Sequence, residues 1–380
     1  MNINKLTVGT NHSGYNQYRN FIGLPYENTV FKKKTDYCKF SDYIYFKLTK
    51  KNHKYCHNYH NDFLIPNKPD LYHFFNTVSY TSKPWIVTHE AAIPRFGVKQ
   101  EAGLKLLNNP NCKKIISFCK NAQNLLKFSL EKFPEYKEQI LEKNIVIQPS
   151  QKLHINGIEE KSENKEIVFT FAGTDFFRKG GFETLKVFDK LIKQGAEVRL
   201  NIISGLAYNT GWKDVHITKN DFEYVQNIIH KNSNQISYFK SVPNNKVLEI
   251  LRNTDIGLLP SYGETYGYTV LESQSCATPV ITTQMPPFEE FNNENIGWLI
   301  PVPLIEREGG KTSDVYSKRG IEEFSQTLEN NLYKTIEQII NNKAIIREKA
   351  VNAVENIRLN HSPISRAREL EKIYSEALEK

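Results

Sequence analysis

Two α/β domains, each built on a parallel sheet, are what this sequence predicts. The chain has 380 residues, enough for two separate cores. Short runs rich in β-branched and aromatic residues alternate with amphipathic segments at helix spacing. One stretch, Asp255 to Ile281, reads as strand, turn, helix and strand, half of a parallel α/β unit.

Leu6–Val8 begins the first domain as a strand, Gly9 to Gly14 makes a turn, and a helix follows through Tyr15–Phe21. Further strands are expected at Tyr43–Leu48, Asp70–Phe75, Trp85–Thr88, Lys114–Phe118 and Asn144–Ile147. Pro149, Ser150, Gly157 and the charged run from Glu159 to Lys165 read as a linker. The expected boundaries are 1–150, a linker over 151–165, a second domain over 166–360, and a C-terminal helix over 361–380 that packs back on the first domain. Glu166–Ala172 opens the second domain as a buried strand ending at Gly173. Phe182, Leu185, Phe188, Leu191 and Ile192 then share one helix face. Strands follow at Val198–Ser204, Ile236–Val242, Asp255–Leu259, Pro279–Thr283 and Gly297–Ile300. Helices intervene near 220–232 and 244–253, the second capped by Asn244 or Asn245. Ile321–Ile340 and Ala344–Ile357 are amphipathic, and Pro363 breaks the chain before a last helix ending at Leu370–Tyr374.

Composition excludes several classes. No apolar run approaches the roughly 18 residues of a membrane span. The N-terminus lacks a signal peptide's apolar core, so export is not expected. Cysteines stand singly at 38, 56, 112, 119 and 276, which suits a reducing cytoplasm better than a disulfide framework. His53, Cys56, His57 and His60 crowd one stretch, yet no second cysteine pair stands at zinc-site spacing, so a polar loop is expected and no metal. Net charge is +8, and the excess gathers at Lys32, Lys33, Lys34, Lys39, Lys47, Lys50, Lys51 and Lys54, interleaved with Phe31, Tyr37, Phe40 and Tyr45. Such a segment (32–54) suits an anionic membrane surface. Nucleic acid fits the same electrostatics, as does a merely solvated face.

Within Asp255–Ile281, Glu264 stands on the loop leaving a strand's carboxyl end, where open parallel sheets bind ligands. Helix N–H groups at Tyr268 and Thr269, following Gly267, would face phosphate oxygens. Glu272, one turn inside, is an acceptor suited to a sugar diol. The pattern Pro-Ser-x-x-Glu-Thr-x-Gly-x-x-x-x-Glu-Ser, from Pro260 to Ser273, then Cys-Ala-x-Pro-Val-Ile, closely resembles the nucleotide-sugar signature of glycosyltransferase family 4. These are retaining enzymes of the GT-B fold.

The resemblance implies two Rossmann-like domains facing a central cleft. It implies that Glu264 contacts the donor sugar, Glu272 the ribose, and the helix start at Gly267, Tyr268 and Thr269 the diphosphate. Gly173 to Gly181 resembles a second signature, in which Lys179 matches a diphosphate-binding lysine. The arginine usual after the glycine is replaced by Thr174; either nearby Arg178 compensates or the site is weaker. His89, after a strand end, matches a histidine that contacts the donor sugar or reacting centre, and Gly14 is the nearest match to a glycine loop approaching donor or acceptor. Gln148-Pro-Ser-Gln151 departs from the Asn-Gly-Val-Asp of many relatives.

The implied reaction moves a sugar from a UDP- or GDP-linked donor to a glycan or lipid-linked acceptor with configuration retained. It needs no metal or cofactor, since Arg178, Lys179 and the helix start meet the diphosphate charge. The expected setting is cell-envelope polysaccharide synthesis on the cytoplasmic side, either free or peripheral on the inner membrane face, with no nucleic acid partner. A catalytically degenerate GT-B-like protein that binds a sugar nucleotide or nucleic acid is the alternative.

Overall fold

The computed structural model describes residues 5–379 apart from 13, 35, 52, 54, 55, 64, 96, 97, 162, 163, 207–216 and 308. Lys54 of the basic segment and residues 162 and 163 of the expected linker therefore lie outside the described residues. The chain divides into two compact units. The first comprises Met1–Ser150, Glu308–Gly310 and His361–Lys380, and the second Gln151–Arg307 and Lys311–Asn360.

In the first unit, β1 (Leu6–Thr10), β2 (Thr29–Lys33), β4 (Leu71–Phe75), β6 (Trp85–His89), β7 (Cys112–Ser117) and β8 (Asn144–Val146) form a parallel sheet in the order β2-β1-β4-β6-β7-β8. A separate short pair joins β3 (Tyr59–His60) and β5 (Val78–Ser79). The helices are α1 (Tyr15–Gln17), α2 (Tyr37–Thr49), α3 (Gln100–Asn108), α4 (Lys120–Leu130) and α5 (Pro134–Lys143). β4 and β6 are buried along their whole length, and Phe74, Trp85, Val87, Leu104, Ile115 and Leu126 share one core. Parallel strands covered on both faces read as continuous apolar runs for this reason.

Two local expectations change here. Tyr43–Leu48, expected as a strand, lies inside α2. Its β-branched and aromatic residues suggested a strand, but no glycine or proline interrupts 37–49. The Asp36 side chain accepts from the Cys38 N–H and starts the helix, which Lys50 ends in the left-handed region. The helix expected over Tyr15–Phe21 is instead the short α1 followed by a π-turn through Tyr18–Ile22.

In the second unit, β9 (Ile167–Ala172), β10 (Val198–Ile203), β11 (Ile236–Phe239), β12 (Ile256–Leu259), β13 (Val280–Thr283) and β14 (Trp298–Ile300) form a second parallel sheet, ordered β11-β10-β9-β12-β13-β14. A short ribbon, β15 (Ile305–Arg307) and β16 (Gly310–Thr312), follows. The helices are α6 (Gly181–Lys193), α7 (Lys219–Lys231), α8 (Asn244–Arg252), α9 (Tyr268–Gln274), α10 (Lys318–Asn341) and α11 (Ala344–Asn360). Phe169, Phe171, Leu185, Phe188, Ile281 and Leu328 belong to its core. The residue before α8 is Pro243, and neither Asn244 nor Asn245 caps it. Proline fixes φ and has no N–H to satisfy, so it serves at a helix start without a side-chain acceptor.

The last helix, α12 (Pro363–Glu379), belongs to the first unit and runs past Tyr374. Pro363 opens it, as proline does at a first helical position. Its Tyr374 hydroxyl meets His73 Nδ1 at 2.7 Å, and its Glu371 carboxylate accepts from the Asn28 N–H at 2.7 Å. His361, just before it, bonds the Pro149 carbonyl at 2.8 Å.

Candidate functional site: a charged junction between two strand ends

The second unit's strand order runs outward from β9 on one side and from β12 on the other. That reversal is the topological switch point of an open parallel sheet, and ligands bind beyond the strands' carboxyl ends there. Residues 173–180 leave β9 and residues 260–267 leave β12, so both stretches emerge at this point.

The two loops are tied together by their backbones. The Tyr262 N–H donates to the Arg178 carbonyl at 2.9 Å, and the Ser261 hydroxyl reaches the same oxygen at 3.3 Å. Gly180 has φ +76°, and a Cβ there would stand 2.1 Å from the Pro260 carbonyl oxygen. Only glycine permits that approach.

On this base the charges converge. Lys179 Nζ lies 2.9 Å from Glu264 Oε1, and Arg178 Nη1 lies 3.6 Å from the same oxygen. The side chains are 12%, 11% and 8% exposed for Lys179, Arg178 and Glu264. They are sheltered enough for strong electrostatics yet still reachable. Arg178 is braced as well, donating to Asp175 Oδ2 from Nη2 at 2.9 Å and Nε at 3.1 Å, and to the Gly263 carbonyl from Nη1. The Lys179 stem lies over Gly173, where an added Cβ would come within 2.4 Å of Cδ. Thr174, in the place of the missing arginine, is exposed.

Gly267 precedes α9 with φ +97°, and a Cβ there would meet Phe288 Cε1 at 2.7 Å. Val270 and Leu271 anchor the helix in the core, while Tyr268 and Thr269 stay half-buried at its start. Glu272 is 9% exposed, within the same helix. α9 ends at Gln274, where the chain tightens into turns at Cys276 and Ala277.

Residues 154–335 match the family model described as glycosyl transferases group 1. The chain therefore carries a glycosyl transferases group 1 domain. No curated protein matches the chain. Among solved structures it is similar to a glycosyltransferase from Rickettsia africae, at 14% identity and TM-score 0.59, covering 99% of each chain. It is similar to the Anabaena protein HepE solved with UDP, at 10% identity and TM-score 0.58, covering 98% of this chain and 100% of that one. A sucrose-phosphate synthase from Thermosynechococcus elongatus matches at 12% identity and TM-score 0.54, over 81% of this chain and 73% of that one. At these identities the likeness establishes the fold, which is that of GT-B glycosyltransferases with two parallel-sheet Rossmann-like bodies.

The group 1 domain thus contains every charged residue of the junction. Sequence reasoning named Glu264, Lys179 and Arg178 but missed the parts that hold them. Asp175 braces the arginine, Ser261 bonds both loops, and Gly180 lets them touch. The doubled glycine at 180–181 and the Pro-Ser pair at 260–261 were the available signals.

The first unit's candidates fare differently. His89 sits at the end of β6 but is fully buried, with Nδ1 bonded to the Ala91 carbonyl at 2.6 Å and Nε2 to the Ser117 hydroxyl at 2.8 Å. The carbonyl can only accept, so Nδ1 carries the proton and Nε2 accepts. Burial lowers its pKa to about 4 and keeps the ring neutral. With Nδ1 on the Ala91 carbonyl and Nε2 on the Ser117 hydroxyl, the ring holds the loop after β6 within the first unit. Gly14 precedes α1 with φ −78°, an ordinary value for any residue. In the histidine-rich stretch, His57 pairs with Asp42 at 2.8 Å and His60 is buried against Ser79. Among the described residues no group of three or more His, Cys, Asp or Glu could hold a metal ion.

Proposed function

We propose that this protein is a retaining glycosyltransferase that moves a sugar from a UDP- or GDP-linked donor to a glycan or lipid-linked acceptor. The observation that carries this is the Lys179–Glu264–Arg178 cluster at the switch point, within the segment matching group 1 glycosyl transferases. Free of donor, the cluster is balanced: two cations face Glu264 and Asp175. When the donor enters, Lys179 and Arg178 turn part of their charge to the diphosphate, and Glu264 takes sugar hydroxyls instead. Glu272 accepts from the ribose diol, and the α9 start near Gly267, Tyr268 and Thr269 borders the diphosphate.

In the reaction the bond from the anomeric carbon to the diphosphate oxygen breaks, and the electron pair leaves with the diphosphate. The acceptor oxygen bonds the anomeric carbon from the same face. Its proton passes to the departing phosphate oxygen, so configuration is retained and no side-chain nucleophile is needed. The leaving charge is met by side-chain cations, and the reading requires no metal ion. UDP is the first nucleotide to test, because the similar Anabaena protein was solved with it. All five cysteines are free, which suits a reducing cytoplasm, and cell-envelope polysaccharide is the proposed product class.

Thermal-shift measurement against UDP- and GDP-sugars tests the reading. At a hundredfold excess over Kd, the true donor stabilises the fold by about 2.7 kcal/mol. Wild type should then hydrolyse that donor slowly, and Lys179→Ala should not. If no nucleotide sugar shifts the melt, the reading fails. Binding without turnover would favour the degenerate protein, for which exposed Thr174 in the arginine's place is the supporting observation. A sugar covalently trapped on a side chain would contradict the proton route above.

A further inference from the structure

A helix at a soluble surface normally buries its apolar stripe and shows polar residues to water. α2 does not follow this pattern. Its one buried residue is Cys38, and its exposed residues include Phe40, Tyr43, Ile44, Phe46 and Leu48. Phe40 is 62% exposed and Leu48 80%. At 100° per residue, Phe40, Tyr43, Ile44 and Lys47 share the strip opposite Cys38. Lys47 lies within that strip, and Lys39 and Lys50 flank it. Lys39, Lys47 and Lys50 are exposed, as are Lys32 and Lys33 on β2, and the Lys47 ammonium stands 5.4 Å from the Tyr43 ring centre.

The segment's two carboxylates are used inward. Asp36 caps α2 and accepts from Asn11, and Asp42 is held by His57 and the His53 N–H. The outward face is therefore cationic with apolar tips and carries no acid.

We propose that this face of α2 docks on an anionic lipid bilayer. Aromatic and aliphatic tips enter the headgroup boundary while lysines meet the lipid phosphates, the composition of an interfacial helix. Nucleic acid is a poorer partner, since Ile44 and Leu48 have no ring to stack on bases. A second copy would set lysines against lysines across a two-fold axis. Docking would hold the protein on the inner membrane face beside a lipid-linked acceptor. That purpose rests on the proposed function, but the surface itself does not.

The full chain should sediment with phosphatidylcholine vesicles that contain phosphatidylglycerol, should not sediment with phosphatidylcholine alone, and should bind less at high salt. Phe40→Ser/Ile44→Ser/Leu48→Ser and Lys39→Glu/Lys47→Glu should each cut the bound fraction about tenfold. Both change exposed side chains, so melting temperature and donor hydrolysis in solution should match wild type. That hydrolysis assay separates failure of docking from failure of the transferase reading. Equal binding to neutral vesicles, no binding to either kind, or full binding by the triple serine variant would overturn the proposal. So would a concentration-dependent dimer abolished by the triple variant, or tighter binding to single-stranded RNA that only the lysine variant loses.

Discussion

The ends of β6 and β12 look alike in the sequence, each a buried strand followed by an ionisable residue, yet the structure uses them oppositely. His89 spends both ring nitrogens inside its own unit, in a chain running from the Asn144 amide through the Ser117 hydroxyl to the imidazole and on to the Ala91 carbonyl. Glu264 gathers two cations from another loop and keeps partial access to solvent. A complete, fully buried hydrogen-bond set marks a group that positions backbone. Convergent, partly open charge marks one that can rearrange around a ligand. The difference lies in the partners, which neighbouring residues in the sequence do not reveal.

The largest effect expected from breaking this contrast is at Glu264. Glu264→Gln keeps the shape but frees Lys179 from its carboxylate, so free UDP should bind at least as tightly as to wild type. Turnover of the donor should nevertheless fall roughly 10²–10³-fold, the usual cost of one group that stabilises a transition state. Calorimetry for UDP and steady-state hydrolysis for the donor would show the split. Parallel loss of both would mean that Glu264 merely holds the loop.

His89→Leu should do the reverse. It leaves the Ala91 carbonyl and Ser117 hydroxyl without their buried partner, costing about 1–3 kcal/mol of stability while solution hydrolysis of the donor persists. Acid should imitate it. His89 and His361 have pKa values lowered to about 4 and His73 to about 3, all chiefly by burial and all in the first unit. The unfolded chain takes up these protons near pH 6.5 and the folded one does not. Stability therefore falls as pH drops from about 6.5 toward 4. Tryptophan fluorescence should register this through Trp85, buried in that unit. A pH-independent urea midpoint over that range would count against the assignment.

How far the sequence reached follows the same physics. Strands such as β9 and β12 were legible because burial on both faces leaves an unbroken apolar run. Glu264 and Lys179 were singled out through the signature they resemble, and the structure brings them within 2.9 Å of each other at the strand ends. α2 was not, since its exposed tyrosines, Ile44 and Phe46 imitate a strand while the Asp36 cap lies outside the run. The role of His89 was not legible either. Its partners Ser117 and Asn144 are far away in the chain and belong to β7 and β8.

Glu183 offers the smallest effect and a control within the group 1 domain. It is another carboxylate, in the first turn of α6, and among the described residues no cation lies at hydrogen-bond distance from it. Its Oε1 accepts from the Tyr262 and Ser325 hydroxyls, each at 2.7 Å. Burial raises its pKa above the ordinary value, against the pull of those two donors. The folded state thus holds the proton more tightly than the unfolded one, and stability declines as pH rises from the unfolded value through the folded one. Gln cannot ionise, and the two hydroxyls can turn to accept from its amide. Glu183→Gln should therefore match or exceed wild type at neutral pH, by no more than about 1 kcal/mol, and lose this decline. Its donor hydrolysis should be unchanged. Urea midpoints at pH 5 and pH 8 would show the crossing. A neutral-pH loss larger than the same exchange causes at Glu264 would mean that ionised Glu183 is part of the working junction, erasing the distinction between a carboxylate that holds and one that acts.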